Sequence, residues 1–200
     1  MNKNKKILVI LASVIALCVL AVFSTLNSVV GLDEKCNASW SQVLNQYQRR
    51  YDLIPNLVAT VQGYATHEQD TLIQVVDARN KATQTTLSPE MLDDENAMKV
   101  FMQNQNALSS ALNHLMVVVE RYPDLKANEN FLSLQSQLEG TENRIAVARK
   151  DYIDSVRLFN TKIRMIPTKW IVAAFSEMKP KATFDIEEIK QEVPVVKFSR

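Results

Sequence analysis

Apolar positions along the chain fall into three long series of alternating three- and four-residue steps, the spacing at which one face of a helix meets a partner. The first runs Trp40, Leu44, Tyr47, Tyr51, Ile54, Val58, Val61, Ala65, Glu68, Leu72, Val75, Arg79, Ala82 without a slip, although two of its members are charged. The second is Met98, Phe101, Gln105, Leu108, Leu112, Leu115, Val119, Tyr122. The third is Leu134, Leu138, Thr141, Ile145, Ala148, Tyr152, Val156, Phe159, Ile163, Ile166, with one four-residue stutter. It lies within residues 128–166, which contain no proline and a single glycine, Gly140. A helix of that span is about 58 Å long and must lie against partners of matching length.

Prolines and capping residues mark the ends of these helices. Pro55 falls inside the first series, where it costs about 3 kcal/mol and clashes with the carbonyl of Tyr51. The unbroken phase predicts a kinked but continuous rod to about residue 85. The rival is a break, with Asp52 as N-cap and Pro55 in the first turn of a new helix. Residues 83–93 read as a loop. Ser88-Pro89 pairs a cap with a first-turn proline, and Glu90, Asp93, Asp94 and Glu95 suit a helix N-terminus. The next helix is expected to reach Tyr122, where Pro123 stops it; residues 124–127 turn the chain and Asn128 caps the long helix. After Pro167 a short amphipathic piece, residues 169–178, sets Trp170, Ala173, Ala174 and Phe175 on one face. Beyond Pro180 the pattern lapses, and Val193 to Phe198 form an extended strip that lies along the bundle or hangs loose.

Only three glycines occur among 200 residues, too few for the turns of a β-rich fold. The expected class is all-α: a transmembrane helix, then a long antiparallel up-and-down bundle of three long helices plus a short C-terminal one. Residues 33–178 are the bundle and 179–200 an extended tail. From Ile7 to Leu32 there are 26 uncharged residues, enough to cross a bilayer with some tilt. Lys3, Lys5 and Lys6 flank this run on one side and Asp33 and Glu34 on the other, so residues 1–6 are expected in the cytoplasm and the bundle outside it. Val19-Leu20-Ala21 is a passable signal-peptidase site, but the apolar run continues well past it and predicts an uncleaved anchor. Leu17 before Cys18 is too large for a lipoprotein site.

Once the three N-terminal lysines are set aside, residues 33–200 carry 20 basic and 22 acidic side chains, so there is no nucleic-acid footprint. A disulfide between Cys18 and Cys36 is not expected, because the first lies at bilayer depth. His67-Glu68 resembles the start of a zinc-protease motif, but Thr71 stands where its second histidine belongs and His114 is on another helix. No metal site, cofactor or catalytic constellation is expected.

The stretch Arg49-Arg50-Tyr51-Asp52-Leu53-Ile54-Pro55-Asn56-Leu57-Val58, continued by Gly63-Tyr64-Ala65 and His67-Glu68, resembles the LemA family. The likeness returns at Tyr122-Pro123, Leu125 to Asn128, Gln137 to Arg149 (QLEGTENRIAVAR) and Asn160 to Pro167. A tyrosine at 51 and the polar loop 83–93 are small departures. The resemblance implies a bacterial single-pass membrane protein with a long extracytoplasmic helical bundle, and it brings no enzymatic activity, cofactor or settled molecular role.

Interaction candidates come from polar or aromatic exceptions on the apolar faces. Glu68 needs either solvent or an arginine; pairing Ala82 with Met98 and Tyr122 with Phe131 brings Arg144 within one helical turn of it. Arg49 and Arg50 are read as solvated. If the first rod runs straight to residue 85, Trp40, Leu44, Tyr47, Tyr51 and Ile54 project along a stalk with no cover from the same chain. A parallel homo-oligomer through residues 36–54 is then expected, with Cys36 placed to cross-link copies. The functional expectation is a non-enzymatic scaffold or interaction protein of the envelope, which has the lipid bilayer and other envelope proteins as partners. The alternative is a sensor or relay working through a membrane partner.

Overall fold

The computed structural model describes residues 3–85 and 88–184, and among these every regular element is helical. The helices are α1 (Lys3–Gln62), α2 (Gln69–Gln84), α3 (Glu95–Val119), the single turn α4 (Pro123–Lys126), α5 (Glu129–Arg164) and α6 (Thr168–Phe175), with a 3₁₀ turn at Pro89–Met91. The strip Val193–Phe198 lies outside the described residues.

α1 joins two environments without a joint. Its N-terminal part is the one described helix apolar enough to cross a membrane, with the large side chains from Ile7 to Phe23 between 46% and 69% exposed except for the half-buried Val22. From Val29 onward one face is buried: Cys36, Trp40, Val43, Tyr47, Ile54, Leu57 and Val61 are all within 2% of full burial. The helix passes uninterrupted through Pro55, the continuous course that the apolar phase predicts.

The break comes instead at residues 63–68, which corrects the expected rod to residue 85. There Ala65 N–H reaches back to Val61 O at 2.9 Å and Glu68 N–H to Ala65 O at 3.1 Å, which closes a compact turn. α2 then returns along the end of α1, since Arg79 and Ala82 both bond to Tyr51. α3 runs back along α2, and the pairs Thr85–Asn104 and Glu68–Arg121 mark the two ends of α2.

α5 packs extensively on α1. Tyr64 meets Asn128, Arg50 meets Glu142, and Trp40 meets Tyr152, so residue numbers fall along α5 as they rise along α1. The expected helix ends shift slightly. Asp94, not Ser88, caps α3 by accepting from Asn96 N and Ala97 N; Asn128 caps α5 by accepting from Phe131 N at 3.0 Å, as its position predicts. α5 stops at Arg164, so Ile166, counted above as the last core position, is 64% exposed.

Beyond α6 the chain turns back onto the bundle. Lys181 reaches Asp33 at 2.9 Å, Tyr152 OH donates to Ala182 O at 3.0 Å, and Phe184 stacks on both Trp40 and Tyr152. The first residues of the expected extended tail, Ala182 and Phe184 among them, are therefore buried against the helices.

These contacts remove the basis for the stalk. Trp40, Tyr47, Tyr51 and Ile54 are 0 to 6% exposed within one chain, because the extra reversal at residues 63–68 sends α5 along them. Cys36 is buried too; burial raises its pKa above the ordinary thiol value, with a weaker opposing effect from a Ser155 hydrogen bond. A thiol held neutral and away from solvent is a poor cross-linking group.

Candidate functional site

The described residues hold one deeply buried charge, Arg50, which is 1% exposed at the centre of the helices. Its burial follows from the same periodicity that buries Tyr47 and Ile54, three residues before it and four after. Sequence reasoning read it as solvated because arginine seldom enters a core without a partner that sequence can locate. The partners come from two other helices. Nη1 donates to Glu142 Oε1 on α5 at 2.8 Å and to Ser109 Oγ on α3 at 3.1 Å, and Nη2 donates to Gln105 Oε1 on α3. The guanidinium also lies 5.1 Å from the ring centre of Tyr47.

The network extends to α2. The Gln105 amide donates to Tyr51 OH, and that hydroxyl donates to Ala82 O at 3.3 Å. Burial raises the Tyr51 pKa, opposed by Gln105 and Arg50, and burial likewise raises that of Tyr47. Both phenols therefore remain neutral donors at ordinary pH. Glu142 is half in water, its side chain 46% exposed. It sits at the rim of a cleft of about 300 Å³ between α3 and α5, also lined by Leu112, Met116 and Leu138.

Pro55 and Arg79 explain each other. Pro55 has no N–H for the carbonyl of Tyr51, which loses its helical partner. Arg79 Nε from α2 supplies the missing donor at 2.9 Å. Two oddities of the sequence, a proline inside a helix and an arginine on an apolar face, thus make one interaction. Arg79→Met is expected to lower stability by about 1 to 2 kcal/mol, the cost of an orphaned buried carbonyl. In a Pro55→Ala background, where residue 55 has its own N–H, that cost should largely vanish. Thermal unfolding of the four proteins of the cycle measures the difference, and equal costs in both backgrounds would show the bond to be idle.

The other expected residues are dispersed. Trp40 lies in the core nearer the apolar N-terminal part of α1. Glu68 is on the turn at the far end, where its Oε1 accepts from Arg121 Nη2 at 2.9 Å and from Tyr122 OH at 3.0 Å. The expected Glu68–Arg144 pair does not form: α3 lies deeper against α2 than assumed, placing Arg121 opposite Glu68, while Arg144 is exposed on α5 near the level of Gln48. His67 and His114 are exposed on the turn and on α3.

Chemically, this site joins one permanent cation to amide, hydroxyl and carboxylate groups drawn from α1, α3 and α5, and through Tyr51 to α2. It binds helices to one another. Fold and site together define an all-helical protein with an apolar N-terminal helix and an internal polar clamp. The model of the LemA family matches residues 39–198, and the chain belongs to that family. Among its relatives, magnetosome protein MamQ 2 of Paramagnetospirillum magneticum is 25% identical over 90% of this chain and 73% of that protein. The MamQ protein of Magnetospirillum gryphiswaldense is 25% identical over 72% of this chain and 57% of its own length. Protein LemA of Metamycoplasma hominis is 26% identical over 72% of this chain and 61% of that protein.

Proposed function

We propose that this chain is a non-enzymatic scaffold of the bacterial envelope: residues 7–32 form the anchor in the cytoplasmic membrane, with the hydrocarbon span ending near Leu26, residues 1–6 stay in the cytoplasm, and an antiparallel helical bundle stands outside. The observation that carries this reading is the continuity of α1 from Lys3 to Gln62, which makes the anchor and the central helix of the bundle one rigid element. The buried polar groups support it, since Arg50, Gln105 and Tyr51 are engaged with one another and present no reactive group to a substrate.

A reporter active only outside the cytoplasm, fused after Arg200, is expected to work, and a cytoplasm-only reporter at the same place to stay silent. The opposite pattern would overturn the orientation. A second reading, a signal relay, draws support from the α3–α5 cleft beside Glu142, because a ligand there would touch a helix that enters the membrane unbroken. Purification in mild detergent separates the two: discrete protein partners favour the scaffold, and a bound small molecule favours the relay.

A further inference from the structure

We infer that α6 and the turn before it are a second membrane-contacting element, seated in the interface of the same bilayer leaflet from which α1 emerges. The inference rests on the anchoring role proposed for α1. Four large apolar side chains are presented at this end of the bundle: Met165 is 56% exposed, Ile166 64%, Trp170 63% and Phe175 67%. The opposite face of α6 is fixed, with Thr168 and Val172 buried and the helix packed on both α1 and α5. The exposed group is therefore held outward by the fold.

Depth follows from α1. Bilayer hydrocarbon about 30 Å thick takes about 20 helical residues, so a span beginning at Ile7 ends near Leu26. On that helix Val22, Thr25, Leu26 and Val29 are the first positions to lose exposure, and they form a single stripe. The pairing of α1 with α5 leads to the same level. Cys36 lies beside Ser155, so Arg164 at the end of α5 falls near Asn27, and the turn that leads into α6 starts at that level, with α6 packed on both α1 and α5. Trp170 is thus placed where indole rings are favoured, between head groups and acyl chains.

Charge agrees with this placement. Between Asp154 and Glu177 the chain has Arg157, Lys162, Arg164 and Lys169 and no acidic residue. An apolar patch with a basic border suits a lipid surface. α6 packs against α1, so its exposed apolar side chains and those of the N-terminal part of α1 belong to the same end of the molecule.

Tryptophan fluorescence tests this directly, because the chain has two tryptophans and the other, Trp40, is fully buried in the bundle. The full-length protein is reconstituted into phosphatidylcholine vesicles in which one acyl chain is brominated near its head-group end. Emission from Trp170 in a Trp40→Phe variant should be blue-shifted and quenched about twofold or more relative to unbrominated vesicles. The wild type should show partial quenching that a Trp170→Phe variant abolishes, a comparison that leaves Trp40 intact. Flotation with vesicles after alkaline carbonate washing reports anchoring by α1 separately. Protein that floats while iodide, and not bromine, quenches Trp170 has a wet α6 and overturns the inference. Floating protein in which neither quencher acts has α6 covered by protein, which also overturns it. Protein that does not float sinks the anchoring reading and this inference with it.

Discussion

Trp40→Ala should destabilise the protein by about 3 to 5 kcal/mol, the range for removal of a large aromatic from a packed core. Trp40 is 0% exposed and its ring meets three others: Phe101 of α3 at 5.4 Å, Tyr152 of α5 at 5.1 Å and Phe184 at 6.0 Å. Three separate segments lose their common contact at once, and none can collapse into the space without leaving α1. Phe184 lies in the segment that returns after α6, so the protease resistance of that segment should fall with the helix stability. Denaturant unfolding of the full chain in detergent, followed by helical circular dichroism and by limited proteolysis, measures both. A cost below about 1 kcal/mol would mean that the aromatic cluster relaxes freely.

The Arg50–Glu142 pair should respond asymmetrically. Glu142→Ala leaves a guanidinium that is 1% exposed without its carboxylate, and is expected to cost about 3 kcal/mol, the lower end for breaking a buried pair because Glu142 itself is half solvated. Arg50→Met removes the buried charge and fills its volume with an apolar chain, while Glu142 turns into water; a cost of about 1 to 2 kcal/mol is expected, mostly from the orphaned amide of Gln105. The double substitution should be milder than Glu142→Ala alone. Equal costs for the two single changes would show that the charge is already hydrated in the folded state.

The distribution of what sequence made legible follows from one physical fact: periodicity reports which face of a helix is buried, not which way the chain is running. All-helical content, the span of α5, its cap at Asn128 and the buried face of α1 were readable because each is local. The turn at residues 63–68 was not. Ala65 and Leu72 are buried on the inner side of that reversal, so the apolar phase crosses it undisturbed. Gly63 and the polar run Thr66-His67-Glu68 were its visible signals, outweighed by the more familiar suspect, Pro55. That single missed reversal inverted the direction assigned to α5, left Trp40 and Tyr47 apparently bare, and generated a partner to cover them. Arg50 was missed for a related reason, since its three acceptors lie 55, 59 and 92 residues away. The family resemblance was legible in full, because it rests on long motifs at the α1–α2 turn and along α5.

The unbroken course of α1 has a mechanical consequence. With residues 7–26 in a bilayer, the remaining helix to Gln62 is an arm about 54 Å long that pivots where it leaves the lipid. Membrane helices lie on average about 20° from the bilayer normal, and a tilt of that size sets the far end of this arm about 18 Å to the side of an upright one. The turn that carries Glu68, Arg121 and Tyr122 rides at that far end. With α1 anchored as proposed, its tilt would set the lateral position of that turn, and a seat for α6 in the interface would limit how far the tilt can change.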